Sequence, residues 1–258
     1  MSIKFSTHKR SLLAIAAGVG LVPSASAVQT VPPDGFWTNG HGDIAVVLNE
    51  DGELAFVLGL AEDPGDVVTV GGQMFAMPVV FSPDDVGIGL TNTLTLPDIF
   101  TQAEFDLLGA SAGDVIPFTL LEAPNVITPE IGLAAEELEG FGAVTFTLES
   151  VVGPGAFSAF LVNGVTGAID FFFASGDGVG GDSVGDTVVL PSPGETDLNF
   201  AFSEFGDYEV TLSAETEFLA TGEIFTAEQT FIFSSNVPEP SALLLLGLGG
   251  LFGLRRRR

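Results

Sequence analysis

The sequence predicts an all-β domain, a β-sandwich of antiparallel strands with one or two short helices, between two helical terminal segments. Short runs of Val, Ile, Thr and Phe recur between Gly, Pro, Asp and Asn, a pattern typical of strands separated by turns. Residues 208–216 alternate apolar and polar side chains, as a strand with one wet face does. Asp51-Gly52 between two apolar runs predicts a hairpin. Strands are predicted at 44–48, 54–60, 67–70, 74–81, 115–121, 144–152, 157–162, 168–174, 187–190, 197–202, 208–216 and 225–233.

Two short helices are predicted between these strands. Thr101 and Glu104 have the spacing of a capping box before an apolar run, and Gly109 provides the stop signal. Residues 131–138 form a second apolar and acidic run that ends before Gly140. The density of strands around these two segments favours a sandwich.

The charged residues divide the chain into three parts. All seven Lys and Arg residues lie in the first ten and last four positions, whereas all 34 carboxylates lie between them. Such a middle part cannot neutralise phosphates, so we expect no nucleic-acid partner. Its carboxylates have no Lys or Arg to pair with, and bound divalent cations are their natural partners. A merely solvated acidic surface is the alternative.

The first 27 residues have the pattern of a secretory signal peptide. A positive region at residues 8–10 precedes the apolar run 12–22, and Ala25 and Ala27 form a small-residue cleavage site. The apolar run is too short to span a bilayer, which needs about 20 residues. The mature chain is therefore predicted to begin near residue 28, outside the cytoplasm. A permanent N-terminal anchor is the alternative.

The last 22 residues have three parts in a fixed order. A Pro-rich break comes first, then the apolar and Gly-rich run 241–254, then a basic end, which together would hold the segment part-way through export. The residues of the break and of the basic end are Val237, Pro238, Glu239, Pro240, Arg255, Arg256, Arg257 and Arg258.

This tail resembles a PEP-CTERM sorting signal. The resemblance implies that an exosortase recognises the tail and removes it, after transient anchoring in the inner membrane. It also implies delivery to the cell surface or extracellular matrix of a Gram-negative bacterium that makes extracellular polysaccharide. An uncleaved membrane anchor is the alternative. The predicted organisation is thus a signal peptide (1–27), an acidic β-sandwich domain (28–236) and a sorting segment (237–258).

Several segments of the middle part resemble the choice-of-anchor M family of bacterial surface proteins. The matching stretches are 40–46, which includes G-H-G-D-I, and 131–138, 153–158 and 199–212. That family usually has His-x-His just before the last of these stretches. Here Glu195 and Asp197 stand at the matching positions.

The resemblance invites a metal-site hypothesis built on His41, Asp43, Glu195 and Asp197. Strand alternation would place His41 and Asp43 on one face, and Glu195 and Asp197 likewise. Carboxylates suit calcium, magnesium or manganese, whereas nitrogen ligands suit zinc, so calcium is favoured over zinc. The alternatives are a strand-capping His41 beside solvated acids, and loss of an ancestral site.

A second candidate cation site is the Gly-rich segment 176–186. Asp177, Asp182 and Asp186 lie on it, and glycines permit the backbone angles with which a loop wraps oxygen ligands around calcium. The EF-hand spacing is absent. A flexible surface loop is the alternative.

No enzyme activity is predicted. Ser111 lies in a G-x-S-x-G pattern, but it follows a helix in a β-rich chain and lacks the strand-to-helix turn of a nucleophile elbow. Trp37 and Tyr208 are the only aromatic residues with polar edges that could serve sugar stacking. The sequence therefore predicts a secreted surface or matrix protein that acts by binding or assembly, with extracellular polysaccharide as a partner and dependence on a cation. Surface metal capture and a carboxylate-based glycan hydrolase are the alternatives.

Overall fold

The computed structural model describes residues 32–62, 65–119, 128–163, 167–179 and 186–236. The predicted signal peptide with Ala25 and Ala27, the sorting segment 237–258 and Asp182 lie outside these ranges. No helix in the described ranges is long and apolar enough to cross a membrane.

The described residues form 16 strands and one helix. In chain order they are β1 (Phe36–Leu48), β2 (Leu54–Leu60), β3 (Val68–Val70), β4 (Gln73–Phe75), β5 (Val79–Phe81), β6 (Gly87–Gly89), β7 (Asn92–Thr95), α1 (Gln102–Leu108), β8 (Val115–Phe118), β9 (Pro129–Ala134), β10 (Val144–Val152), β11 (Phe157–Val162), β12 (Ile169–Ala174), β13 (Thr187–Leu190), β14 (Glu195–Phe202), β15 (Asp207–Phe218) and β16 (Glu223–Ser234).

One continuous path of hydrogen-bonded neighbours runs through ten of these strands. Its order is β12-β11-β14-β9-β1-β6-β16-β15-β10-β13. Two strands pair with different neighbours along their length: β1 pairs first with β3 and β6, then with β2 and β9, and β14 pairs first with β9, then with β11. These two strands therefore join otherwise separate parts of the sheet.

Local sequence signals predicted several elements correctly. Strands β2, β10, β11 and β13 have the predicted bounds. The Asp51-Gly52 hairpin joins β1 to β2, with Asn49 Oδ1 accepting hydrogen bonds from the backbone N–H groups of Asp51 (3.0 Å) and Glu53 (2.9 Å). Gly52 has a φ of 77°, which favours glycine.

The single described helix also begins and ends as predicted. Thr101 caps α1, and the reciprocal Thr101–Glu104 hydrogen bonds of a capping box are both present. Gly109 ends the helix in the left-handed conformation, with a φ of 65°. Ser111 follows in the turn between α1 and β8, where its backbone N–H donates to Asp114 Oδ2 at 2.8 Å.

The prediction of a second helix at 131–138 was wrong. Residues 129–134 form strand β9, and residues 131–135 are all buried. Strand β9 pairs with β1 on one edge and β14 on the other, and its consecutive residues 131–134 are buried on both faces, as in a central strand. Long-range pairing outweighs the weak local helix preference here.

The predicted antiparallel arrangement holds for most strand pairs, but three pairs are parallel. Strand β1 runs parallel to β6 and β9, and β6 runs parallel to β16. The predicted strand at 74–81 is divided into β4 and β5, which pair with different neighbours; Pro78 lies between them and has no N–H for a ladder. Strands β6 and β7 were not predicted.

The main core lies between parts of the sheet that pack face to face and whose strands are not hydrogen-bonded to each other. Phe56 of β2 packs against Phe146 of β10 and Phe231 of β16, with ring centroids 6.1 and 5.6 Å apart. Trp37 and Tyr208 are fully buried in this core. A smaller core lies beneath α1, around Phe105, Phe118 and Phe160.

Candidate metal site

A row of four residues in register crosses strands β2, β1, β9 and β14. Asp43 of β1 lies opposite Gly59 of β2 on one side and Gly132 of β9 on the other. Asp197 of β14 lies opposite Gly132 on its far side. Two acidic residues are therefore separated by one strand, and the residue between them is a glycine.

The alternation of β1 places its two candidate ligands outside the core. Ile44 and Val46 are buried in the main core, so His41 and Asp43 lie on the opposite face of the strand. Asp43 is nevertheless only 3% exposed.

Gly132 creates the space in which the two carboxylates meet. A Cβ atom added at this position would meet Asp43 Oδ1 at an impossibly short distance, and it would lie 3.0 Å from Asp197 Oδ1. The carboxylate oxygens thus occupy the volume that any other residue would fill with its own side chain. Gly132 is therefore a determinant of the site, although it supplies no side chain.

His41 bridges two acidic residues from distant parts of the chain. Its Nε2 lies 3.1 Å from Asp197 Oδ1, and its Nδ1 lies 3.7 Å from Asp66 Oδ2. The hydrogen bond to Asp197 raises the pKa of His41 to about 9, helped by the charges of Asp43, Asp197 and Asp66 and opposed by burial. His41 is the only His, Lys or Arg in the described part of the chain.

Two carboxylates beside His41 each have a buried oxygen without a hydrogen-bond partner: Asp43 Oδ1 and Asp66 Oδ2. Burial raises the pKa of Asp43 to about 7, an effect that the nearby His41 opposes and that Glu195, Glu62 and Asp197 reinforce. A buried acceptor without a donor is costly unless a proton or a cation satisfies it.

Two further acidic residues, Glu62 and Glu195, add negative charge near the site. Glu62 and Glu195 are exposed, and both act electrostatically on Asp43. The pKa of Glu62 is raised by partial burial first and then by the negative charges of Glu136 and Glu137. The electrostatic field around His41 therefore favours an added positive charge.

Three of the four predicted ligands come together. One potential ligand atom each from His41, Asp43 and Asp197 lies within 4.8 Å of the others. Glu195 is not part of this group; it pairs opposite Ala134, two residues before Asp197. Asp66 was not predicted, because only the connection between β2 and β3 brings it beside His41 and no sequence pattern marks that approach.

The Gly-rich segment does not show a comparable cluster. Asp177 and Asp186 are described, whereas Asp182 is not. Neither of the two described residues belongs to a group of three potential metal ligands within the described ranges.

The chemistry of the donor set fits a divalent cation. One imidazole nitrogen and two carboxylate oxygens are a common set for first-row divalent metals, and a cation would satisfy Asp43 Oδ1. The three groups lie close enough to converge on one ion with modest side-chain movement. These features define a β-rich domain with a candidate His-Asp-Asp metal site.

The chain carries a PEP-CTERM protein-sorting motif at residues 236–258. This match supports an exported, transiently membrane-anchored surface protein that is processed by an exosortase. No curated protein matches the chain. Among solved structures, the chain is similar to the ASH / PapD-like domain of human CEP192 (PapD-like domain 7), at 17% identity and a TM-score of 0.19. That alignment covers 38% of this chain and 66% of the other, just under two thirds.

Substitution of Gly132 by Ala is expected to disrupt the site, because the new methyl group would displace Asp43 Oδ1. We expect the free energy of unfolding to fall by about 1–3 kcal/mol, with loss of any metal-induced stabilisation. Urea unfolding followed by the fluorescence of Trp37 measures both. Gly59→Ala is the matched control, since the nearest atom there is the end of the exposed Glu62 side chain. Equal effects of the two substitutions would contradict the role of Gly132.

The stability of the metal-free protein is expected to fall as pH rises from about 4 to 7. In this window the folded state holds a proton on Asp43 that the unfolded state has released, because the folded pKa is about 7. Asp43→Asn removes the group that binds this proton. The free energy of unfolding should then change less with pH, by up to a few kcal/mol across the window. Unfolding in chelator at several pH values measures it. Asp98→Asn removes an exposed carboxylate and controls for net charge. A slope unchanged in Asp43→Asn would contradict the assignment.

Proposed function

We propose that this chain is an exported surface or matrix protein whose β-sandwich domain, residues 28–236, binds a divalent cation through His41, Asp43 and Asp197. One observation carries the proposal: the buried and unpartnered Asp43 Oδ1 lies beside two further potential ligands. The sorting motif at residues 236–258 supports the route of export. The main core between unpaired sheet faces supports the sandwich architecture.

The donor set favours a first-row divalent metal such as manganese or zinc over calcium. The cluster contains one imidazole, and calcium prefers six to eight oxygen ligands. Borderline metals accept mixed nitrogen and oxygen ligands. The inclusion of His41 and the exclusion of Glu195 from the cluster therefore change the preference that the sequence alone suggested.

The cation supports a role in binding or assembly in two ways. It would neutralise part of the negative charge of Glu62 and Glu195. It would also link β1 to β14 across β9, since its ligands lie on both strands. Because β14 continues into a different part of the sheet, the cation would stabilise the junction between these parts. Metal capture at the cell surface is the same binding event with a different physiological use.

A carboxylate-based glycan hydrolase is the second candidate function. The raised pKa of Asp43, about 7, is what a general acid requires. However, Asp43 is only 3% exposed, whereas the side chains of His41 and Asp197 are 20% and 32% exposed, so a sugar could not reach Asp43 without rearrangement of the site. This geometry favours metal binding over acid catalysis.

Metal binding is expected to stabilise the protein in a saturable way. The full chain, purified in mild detergent and stripped with chelator, would be melted with manganese, zinc or calcium. A cation at about 100 times its Kd adds roughly 2.7 kcal/mol to the free energy of unfolding. Asp43→Ala and Asp197→Ala should abolish the shift, whereas Asp177→Ala should retain it. A shift that sodium at matched ionic strength reproduces would contradict a specific site.

Processing is expected to remove the C-terminal tail in a host that has an exosortase. Replacement of Pro238, Glu239 and Pro240 by Ala should leave the tail attached and the protein in the membrane fraction. Replacement of the four terminal Arg by Lys keeps the positive charge and should allow processing. Mass spectrometry of the mature C-terminus measures the outcome. An intact tail on the wild-type protein in such a host would contradict the route.

A further inference from the structure

The two ring nitrogens of His41 have different surroundings. Nε2 lies 3.1 Å from Asp197 Oδ1, on the side where the carboxylates of Asp43 and Asp197 meet over Gly132. Nδ1 lies 3.7 Å from Asp66 Oδ2. Asp66 does not belong to the group of potential metal ligands that His41 forms with Asp43 and Asp197. The Nε2 side therefore offers two further ligands, whereas the Nδ1 side offers a single carboxylate.

The backbone next to His41 allows Asp66 to come this close. Gly40, the residue before His41, has a φ of 91°. A Cβ atom at Gly40 would meet the carbonyl oxygen of Val67 at an impossibly short distance. The lack of a side chain at Gly40 thus lets the residue that follows Asp66 lie directly against β1.

The other end of the connection between β2 and β3 is also held beside His41. Ala61, the first residue after β2, has a φ of 57°, a conformation that is costly for a residue with a Cβ atom. Its backbone N–H donates to the carbonyl oxygen of His41 at 3.2 Å. Backbone contacts with residues 40 and 41 therefore hold both ends of the connection that carries Asp66.

Asp66 Oδ2 is buried and has no hydrogen-bond partner. Its distance of 3.7 Å from His41 Nδ1 exceeds the roughly 3.2 Å of an N–H···O hydrogen bond. The imidazole ring is held on its other side by the contact between Nε2 and Asp197. Because a buried acceptor without a donor is costly, a small shift of the ring toward Asp66 would be favourable once Nε2 loses that contact.

Metal binding would release the contact between Nε2 and Asp197. A histidine that binds a metal is neutral, so one ring nitrogen binds the ion and the other keeps its hydrogen. An ion held by Nε2 and by the carboxylates of Asp43 and Asp197 leaves this hydrogen on Nδ1. Asp66 Oδ2 is then in place to accept it.

We propose that Asp66 is a positioning residue of the metal site, whose carboxylate accepts the Nδ1–H of His41 and thereby directs Nε2 to the ion. This inference rests on the proposed function, since it requires an ion at His41. A carboxylate in this place fixes the tautomer and the orientation of the ring, and it raises the basicity of the ligating nitrogen. Asp66 therefore strengthens the preference for metals that accept imidazole nitrogen over calcium, which prefers oxygen.

Nitrogen-15 NMR of histidine tests the assignment on the full chain in mild detergent. The chain contains two histidines, and the variant His8→Gln identifies the signals of His41. Zinc is the probe, since its filled d shell leaves the NMR signals unbroadened. We expect zinc to shift the Nε2 resonance and to leave the hydrogen on Nδ1. Coordination of zinc by Nδ1 would overturn the inference.

Substitutions separate a hydrogen bond from a general effect of charge, with zinc affinity measured by calorimetry. Asp66→Ala removes the acceptor and should weaken zinc binding about 10–100-fold. Asp66→Asn removes the charge but keeps a carbonyl oxygen that can accept a hydrogen bond, so it should recover part of this loss and keep the hydrogen on Nδ1. Glu62→Gln is the matched control, because Glu62 acts on His41 through its charge; it should change the affinity by no more than about fivefold.

The possible results distinguish this inference from the proposed function. The Asp66 side chain is 28% exposed, so we expect Asp66→Ala to fold, which the fluorescence of Trp37 checks. Zinc affinity unchanged in Asp66→Ala would overturn the role of Asp66 and leave the metal site intact. Equal losses in Asp66→Ala and Asp66→Asn would show an effect of charge and overturn the hydrogen bond. Failure of the wild-type chain to bind zinc, manganese or calcium would overturn the proposed function and this inference with it.

Discussion

The structure depends on how an acidic domain without Lys or Arg accommodates buried negative charge. Most carboxylates remain at the surface, where water solvates them. Asp43 does not, because the register of β1 places it between two glycines on a covered part of the sheet. His41 is the only side chain of the described residues that can carry a positive charge there, and it is shared with Asp66 and Asp197. A histidine that binds a metal must be neutral, so a divalent cation would replace the proton of His41 and bring two positive charges to these carboxylates in place of one.

The pairing of β9 with β1 and β14 determines how close the acidic residues lie to one another. Strand β9 lies parallel to β1 and antiparallel to β14, which brings residues that are more than 150 positions apart into one row. Gly132 allows the carboxylates of Asp43 and Asp197 to lean over the same strand. The site therefore depends on a strand that contributes no ligand. Stabilisation of this junction would connect cation binding to the packing of the whole domain.

Elements defined by local chemistry were predictable from the sequence. The Thr101–Glu104 capping box and the Asp51-Gly52 turn determine their own hydrogen bonds within a few residues, and both are present. Residues 131–138 were not predictable in this way, since burial between β1 and β14 decides their conformation. The same distinction applies to the site. Alternation predicted that His41 and Asp43 share a face, whereas the separation of Glu195 from the cluster and the approach of Asp66 arise only from tertiary pairing.

Anomalous X-ray diffraction from crystals grown with manganese or zinc tests the central claim most directly. The account predicts an anomalous peak bonded to one ring nitrogen of His41 and to carboxylate oxygens of Asp43 and Asp197, at about 2.0–2.2 Å. At least one further position on the ion should face solvent. A peak held by other residues, or no peak at this position in metal-saturated crystals, would contradict the account.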